Sequence, residues 1–165
     1  MEKSIDISNL TMCIEDAYSD NGYLFGVENV TQEVVKNELS NEGTFRMLTN
    51  ESTADSVFEV DIDDSKFLND KSYRNNWIIV SYGYPVAVLC VRAENENLCV
   101  SAMEVSSEER RQGFGSMLVR GVEKYARHDG FRKVVVNPFD TDAEGFWTHM
   151  GYTMCDCNRM YKTIE

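Results

Sequence analysis

With 165 residues and a net charge of −12, the chain is long enough to bury one sizeable core and too acidic to suit nucleic acid, whose phosphates call for Lys and Arg. Met1-Glu2-Lys3-Ser4 leads into no apolar signal core and no run approaches ~18 apolar residues, so the expectation is a soluble, cytoplasmic protein with no membrane contact. Five cysteines (Cys13, Cys90, Cys99, Cys155, Cys157) form no paired spacing, and two histidines are too few for a zinc site, so reduced, mostly buried thiols and no metal are expected.

In chain order, Ile5 and Ile7 fit a short first strand. Leu10, Cys13, Ile14, Ala17 and Tyr18 fit a helix that stops before Asn21-Gly22. Thr31 suits the N-cap of a second helix carrying Val34, Val35 and Leu39, which closes near Gly43. Residues 45–48 and 58–62 are strand-like, with a polar stretch between them. Residues 77–81 and 86–92 form a hairpin across Tyr82-Gly83-Tyr84-Pro85. Asn95-Glu96-Asn97 then turns into a run, 98–105, that alternates apolar with small or polar side chains, as a half-buried strand does.

Next comes Arg110-Arg111-Gln112-Gly113-Phe114-Gly115-Ser116. A helix follows it, with Met117, Leu118, Gly121, Val122, Tyr125 and Ala126 on one face. A strand that passes through a glycine-rich turn into a helix leaves backbone N–H groups unpaired at the positive end of the helix dipole, a place suited to phosphate. Gly113 and Gly115 remove side chains that would hold a ligand off the backbone, and Arg110 and Arg111 add fixed positive charge. The bare pattern is equally compatible with an ordinary tight turn. There is no phosphate-loop Gly-Lys-Ser/Thr, and no third glycine to complete a dinucleotide fingerprint. Residues 133–138 read as a strand buried on both faces and stopped by Pro138. A hairpin around Cys157-Asn158 closes the sequence.

Charge is uneven. Residues 108–133 hold seven of the sixteen basic residues, around the glycine turn, whereas 51–70 hold seven acidic residues against Lys66. The basic cluster suits an anionic cofactor. The acidic stretch is either a solvated loop or a surface that draws a cationic amine.

Arg110-x-x-Gly113-x-Gly115, preceded by Met103-x-Val105, resembles the signature of the GNAT superfamily of acyl-CoA N-acyltransferases. Ala143-Glu144-Gly145-Phe146-Trp147 through Met150-Gly151-Tyr152 is similar to that family's later motif. The resemblance covers residues 77–164 and implies one α/β domain over residues 1–165, with a central mixed, mostly antiparallel twisted sheet and helices on both faces. Residues 77–164 would be the acetyl-CoA-binding core. Residues 1–76 would be a variable substrate side with an insertion at 42–76.

It implies further that acetyl-CoA enters where the fourth and fifth strands splay, with Met103 and Val105 pairing the pantetheine arm. Arg110, Arg111, Gln112, Gly113, Phe114, Gly115 and Ser116 would hold the pyrophosphate, and Asp140 and Phe146 would complete the cofactor site. The family's usual tyrosine, which can protonate the leaving thiolate, is Trp147 here, and an indole cannot titrate as a phenol does. Tyr152 and Tyr161 are nearby phenols whose motif positions suggest core packing. Glu104 is the candidate base or else a solvent-facing strand residue, with Glu94 and Glu96 behind it. His149 reads as a surface residue and His128 as a favourable charge at a helix C-terminus. The activity implied is acetyl transfer to a primary amine of a small molecule, amino acid or peptide. An acyl-CoA-binding module that has lost turnover is the alternative suggested by Trp147. A toxin-type enzyme acting on charged tRNA fits the acidity poorly. A second copy of the chain is a candidate partner.

Overall fold

Asp6 accepts the N–H of Asn9 at 3.1 Å and so caps α1 (Ile7–Ser19). The short strand expected at Ile5 and Ile7 is therefore absent. The helical spacing of Leu10, Cys13, Ile14 and Tyr18, all buried, outweighs the alternation of two isoleucines. This computed structural model describes residues 3–30, 76–83, 85–105, 113–136, 141–155 and 159–164. The helix expected from Thr31, the strands at 45–48 and 58–62, the acidic stretch 51–70 and nearly all of the 42–76 insertion lie outside the described residues.

Among the described residues there are seven strands, β1 (Gly26–Val30), β2 (Asn76–Ser81), β3 (Pro85–Glu94), β4 (Asn97–Val105), β5 (Lys133–Val136), β6 (Thr153–Met154) and β7 (Met160–Thr163). Two further helices, α2 (Phe114–His128) and α3 (Thr141–His149), follow β4 and β5. The sheet order is β1-β2-β3-β4-β5-β7-β6, and of its six pairings only β4 with β5 is parallel. A parallel neighbour needs a crossover, and α2 supplies it. The result is one mixed α/β domain with a mostly antiparallel sheet, as the sequence led us to expect. β1 was not anticipated. It is an edge strand with only Val27 buried, so it lacks the apolar run that marks a strand in sequence.

β4 is less regular than its alternating sequence suggested. Its register against β3 runs Arg92↔Cys99 and Val91↔Val100, then resumes at Cys90↔Ala102, leaving Ser101 with no opposite residue. This one-residue bulge switches faces. Leu98 and Val100 belong to the core shared with the helices, and after the bulge so do Met103 and Val105 rather than Ala102 and Glu104. Residues 98–102 are all buried, so the first half of β4 is covered on both faces instead of half-buried. Pairing with β5 spans Asn97↔Lys133 to Val100↔Val136 and goes no further among the described residues.

The core lies between the sheet and the α1–α2 pair. α2 carries Met117, Leu118, Val122, Tyr125 and Ala126 inward, as its periodicity predicted. The two helices touch where a side chain at Gly121 would meet the Ile14 Cα at 2.7 Å and the Cys13 carbonyl oxygen at 3.2 Å. Backbone atoms cannot swing aside as a flexible side chain could. Gly121→Ala is accordingly expected to destabilise the fold by about 1–3 kcal/mol, overpacking outweighing the ~1 kcal/mol that alanine offers a helix interior. Urea unfolding checks this; an alanine variant as stable as the original would mean that α1 shifts at little cost.

Candidate active site

The first turn of α2 sits just beyond the C-terminal end of β4. Gly113 begins it with φ +82, in the left-handed region, and no side chain caps the helix. The first helical hydrogen bond is Met117 N–H to the Gly113 carbonyl at 3.0 Å, so the N–H groups of Phe114, Gly115 and Ser116 precede the intrahelical ladder. These groups and the helix dipole give this end a positive potential.

α1 fixes that end. The buried Tyr18 hydroxyl donates to the Phe114 carbonyl at 2.9 Å. The Phe114 ring packs edge-on against Tyr23 and Phe25, with centroids 4.9 and 5.1 Å away. Phe114, expected beside the cofactor, is thus 3% exposed and is the anchor of the turn.

Gly113 and Gly115 differ in what a side chain would meet. Gly113 has the left-handed backbone that a side chain strains. The space beside Gly115 is bounded by protein but has room for a methyl: a Cβ there would lie 3.5 Å from the Phe146 ring and 3.6 Å from Val105 Cγ2, ordinary contact distances. Val105, Gly115 and Phe146 therefore meet, joining the end of β4, the start of α2 and α3, as a shared site requires. Ser116 is half-buried on the first turn. Arg110, Arg111, Gln112 and Asp140 lie outside the described residues.

Trp147 is a core side chain, 6% exposed, edge-on to Phe146 at 5.2 Å and to Tyr152 at 4.9 Å. Tyr152 is buried too, and its hydroxyl donates to Glu123 at 2.9 Å. Burial first, then the Glu123 charge, pushes this phenol well above its ordinary value, so Tyr152 is no proton donor near neutrality. Lys162 completes the knot, 3.3 Å from the same carboxylate and 3.1 Å from the Met150 carbonyl. Tyr161, half-buried on β7, has Lys133 Nζ 4.7 Å from its ring centroid.

Among the carboxylates, Glu94 ends β3 rather than opening β4, and its two oxygens accept from Arg159 at 2.7 and 3.1 Å. Arg92 adds an ion pair at 3.0 Å. The Arg159 hydrogen bonds, opposed by burial and helped by both guanidinium charges, hold the Glu94 carboxyl below its usual value, so it is a poor base. Glu96 pairs with Arg132 at the far end of β4 from the glycine turn. Glu104 is half-buried and pairs in register with Val88, on the face opposite Met103 and Val105. His149 is exposed, as expected, and His128 ends α2 beside Asp129 at 2.9 Å. Cys13, Cys90 and Cys99 are free and buried, as expected, and Cys155 is free and half-buried; Cys157 lies outside the described residues. Among the described residues no helix is long and apolar enough to cross a membrane.

One family model, that of the acetyltransferase (GNAT) family, matches the chain over residues 43–152. The chain belongs to the GNAT family. No curated protein sequence matches it. Its fold is similar to that of a GNAT-family acetyltransferase from Staphylococcus aureus Mu50, at 13% identity and TM-score 0.60, covering 86% of this chain and 99% of that one. It is also similar to AtaTR bound with AcCoA, at 10% identity and TM-score 0.59, covering 85% and 93%. The ribosomal-protein-S18-alanine N-acetyltransferase from Escherichia coli gives 10% identity and TM-score 0.57, covering 86% and 94%. At such identities these likenesses concern the GNAT fold.

Sequence reasoning passed over Ser101 and Tyr18. A lone polar residue inside the apolar run 98–103 was the available signal for the first. Tyr18 looked like any apolar helix position, because its partner is 96 residues away.

Two outcomes follow from this geometry. Gly113→Ala should lose about 1–2 kcal/mol through backbone strain, while Gly115→Ala should stay within about 0.5 kcal/mol because its methyl makes only ordinary contacts; denaturant unfolding of the two variants would reveal an inverted order. For Glu94, the folded pKa lies below the unfolded value of about 4.3, so its stabilisation is complete above that pH and fades as pH falls through the folded value. Glu94→Gln should therefore cost about 1 kcal/mol near pH 7, screening by solvent allowed for, and almost nothing near pH 2. A deficit that persists unchanged in acid would show that the carboxylate charge is not the cause.

Proposed function

We propose that this GNAT-family protein transfers an acetyl group from acetyl-CoA to a primary amine of a small molecule, amino acid or peptide. The observation that carries this reading is the meeting of Val105 at the end of β4, Gly115 in the first turn of α2, which no side chain caps, and Phe146 of α3. A strand can offer N–H and C=O groups along one edge to an extended amide-containing ligand, and pantetheine is one. The turn beyond it offers N–H groups and the helix dipole to a pyrophosphate, with Arg110 and Arg111 adjacent in sequence. That a protein of this fold, AtaTR, is bound with AcCoA supports the same cosubstrate.

In this reading Met103 and Val105 bond the pantetheine amides through their backbone, and Gly113 to Ser116 receive the pyrophosphate. Phe146 closes the side of the channel against Val105. A neutral amine attacks the thioester carbonyl directly, the C–N bond forms, and the C–S bond breaks with its electron pair on sulfur. Holding the two reactants together supplies most of the acceleration. Glu104 takes the surplus amine proton through water. The acidic stretch 51–70 attracts a cationic acceptor, and the chain works in the cytoplasm. Burial of Trp147 in the core, where the family's phenol is usual, favours a second reading in which the site binds acyl-CoA with little turnover.

Calorimetry should give micromolar binding of acetyl-CoA, on the order of −8 kcal/mol. The double variant Arg110→Glu/Arg111→Glu should lower affinity at least tenfold while leaving the melting temperature in place. Unchanged affinity in that variant would remove the pyrophosphate assignment. Thiol release across a panel of amines separates the two readings: tight binding without release from any amine selects the binding module.

A further inference from the structure

At the end of the sheet away from the glycine turn, described residues border a cavity of about 690 Å³. That volume falls within the ~300–1,000 Å³ of small-molecule sites. Phe131 and Ile164, both nearly buried, give it an apolar floor. Asn97, Lys133 and Thr163 stand in register on β4, β5 and β7 and form one row of its wall. Arg127 at the end of α2 and Arg132 just before β5 extend the cationic side.

The lining residues thus bring three cations together with one carboxylate, Glu96, in a chain whose net charge is −12. Lys3 adds an ammonium beside them: a side chain at Gly130 would meet its Nζ at 3.6 Å. Lys3 also donates to the Asp129 carbonyl at 3.1 Å, which offsets the negative end of α2 where it would otherwise repel an anion. Cations gathered in this way repel one another, and an anion among them relieves that repulsion. Arg132 can turn to such a ligand. Its ion pair with Glu96, at 3.2 Å, joins side chains 75% and 58% exposed, and a pair of that kind is weakly held. Lys133 leans on the Tyr161 ring, 4.7 Å from the centroid, and an ammonium so placed keeps N–H donors for an oxygen.

We propose that this cavity is a second ligand site, one that takes a small dicarboxylate. A guanidinium offers a carboxylate two parallel N–H groups. Arg132 and Lys133 come from the β5 side and Arg127 from α2, so the positive charge is spread around the cavity instead of gathered at one point. Spread charge suits an anion with a carboxylate at each end better than one compact phosphate. Asn97 and Thr163 supply neutral polar groups between. The site stands apart from the acetyl-CoA site: β4 runs about 26 Å from Asn97 at the cavity to Val105. α2 separates Arg127 from the glycine turn by about 20 Å. The assignment therefore holds or fails independently of the acetyl-transfer reading.

The test titrates succinate and malate into the full chain by calorimetry at constant ionic strength, with acetate as the singly charged control. Both dicarboxylates should bind with a Kd below about 1 mM, and acetate at least tenfold more weakly. Arg132→Gln/Lys133→Gln should lower dicarboxylate affinity at least tenfold, and Arg132→Gln alone, at an exposed position, should show part of that loss. Arg120→Gln, which removes an exposed α2 cation that does not line the cavity, should leave affinity unchanged. Saturating CoA should leave it unchanged as well. Absence of dicarboxylate binding overturns the assignment, as does full affinity in the double variant. Equal affinity for acetate, or an equal loss in the Arg120 variant, would show general charge attraction and overturn it too. Competition by CoA would move the anion to the glycine turn, and tighter binding of inorganic phosphate than of either dicarboxylate would overturn the ligand class.

Discussion

The end of β4 meets the first turn of α2 and α3 where Val105, Gly115 and Phe146 come together, and the rest of the site is arranged around that contact. The bulge at Ser101 precedes it on β4. It adds a residue to β4 and changes which side chains face the helices. Met103 and Val105 thereby turn toward α2 and α3, while Glu104 faces the other way.

The second requirement is a helix end held still against the end of β4. α1 provides the brace. Gly121 lets the two helix backbones approach closely, and at the other end of the contact the Tyr18 hydroxyl holds the Phe114 carbonyl. α3 is tied by a separate device, in which Lys162 of β7 and Glu123 of α2 share charge beneath the Tyr152 hydroxyl. Breaking one member of such a half-buried cluster leaves the others unsatisfied, which makes it a firm tether rather than a large source of net stability. Between them these contacts set the distance from β4 to the first turn of α2 and from that turn to Phe146.

The electrostatics divide the carboxylates by task. Glu94 is held ionised by Arg159 and Arg92, and Glu123 is enclosed by Lys162 and Tyr152, so both are structural charges. Glu96 lies at the wrong end of β4. Glu104, half-buried near the end of β4, is the carboxylate given the base role in the proposed reaction.

Much of this was legible in the amino-acid sequence. The 3.6-residue pattern from Met117 to Ala126 and the spacing of Gly113 and Gly115 placed α2 and its turn, because they depend on local periodicity and on backbone freedom that no distant contact alters. The apolar run at 133–136 and the Tyr82–Gly83 turn marked strands for the same reason. Capping by Asp6 decided that Ile7 is helical, an outcome that two alternating isoleucines concealed. Other features were set only by tertiary structure. β1 exists because β2 offers it an edge, and Gly115 faces Phe146 and Val105 across the end of β4. Trp147 is a core residue because Tyr152 packs on it, and Ser101 is the bulged residue because β3 has none opposite it. Each depends on residues brought together from distant parts of the chain, where period and propensity carry no information; the sequence by itself determined the elements and the turn, and the tertiary structure decided which side chains those elements turn toward one another.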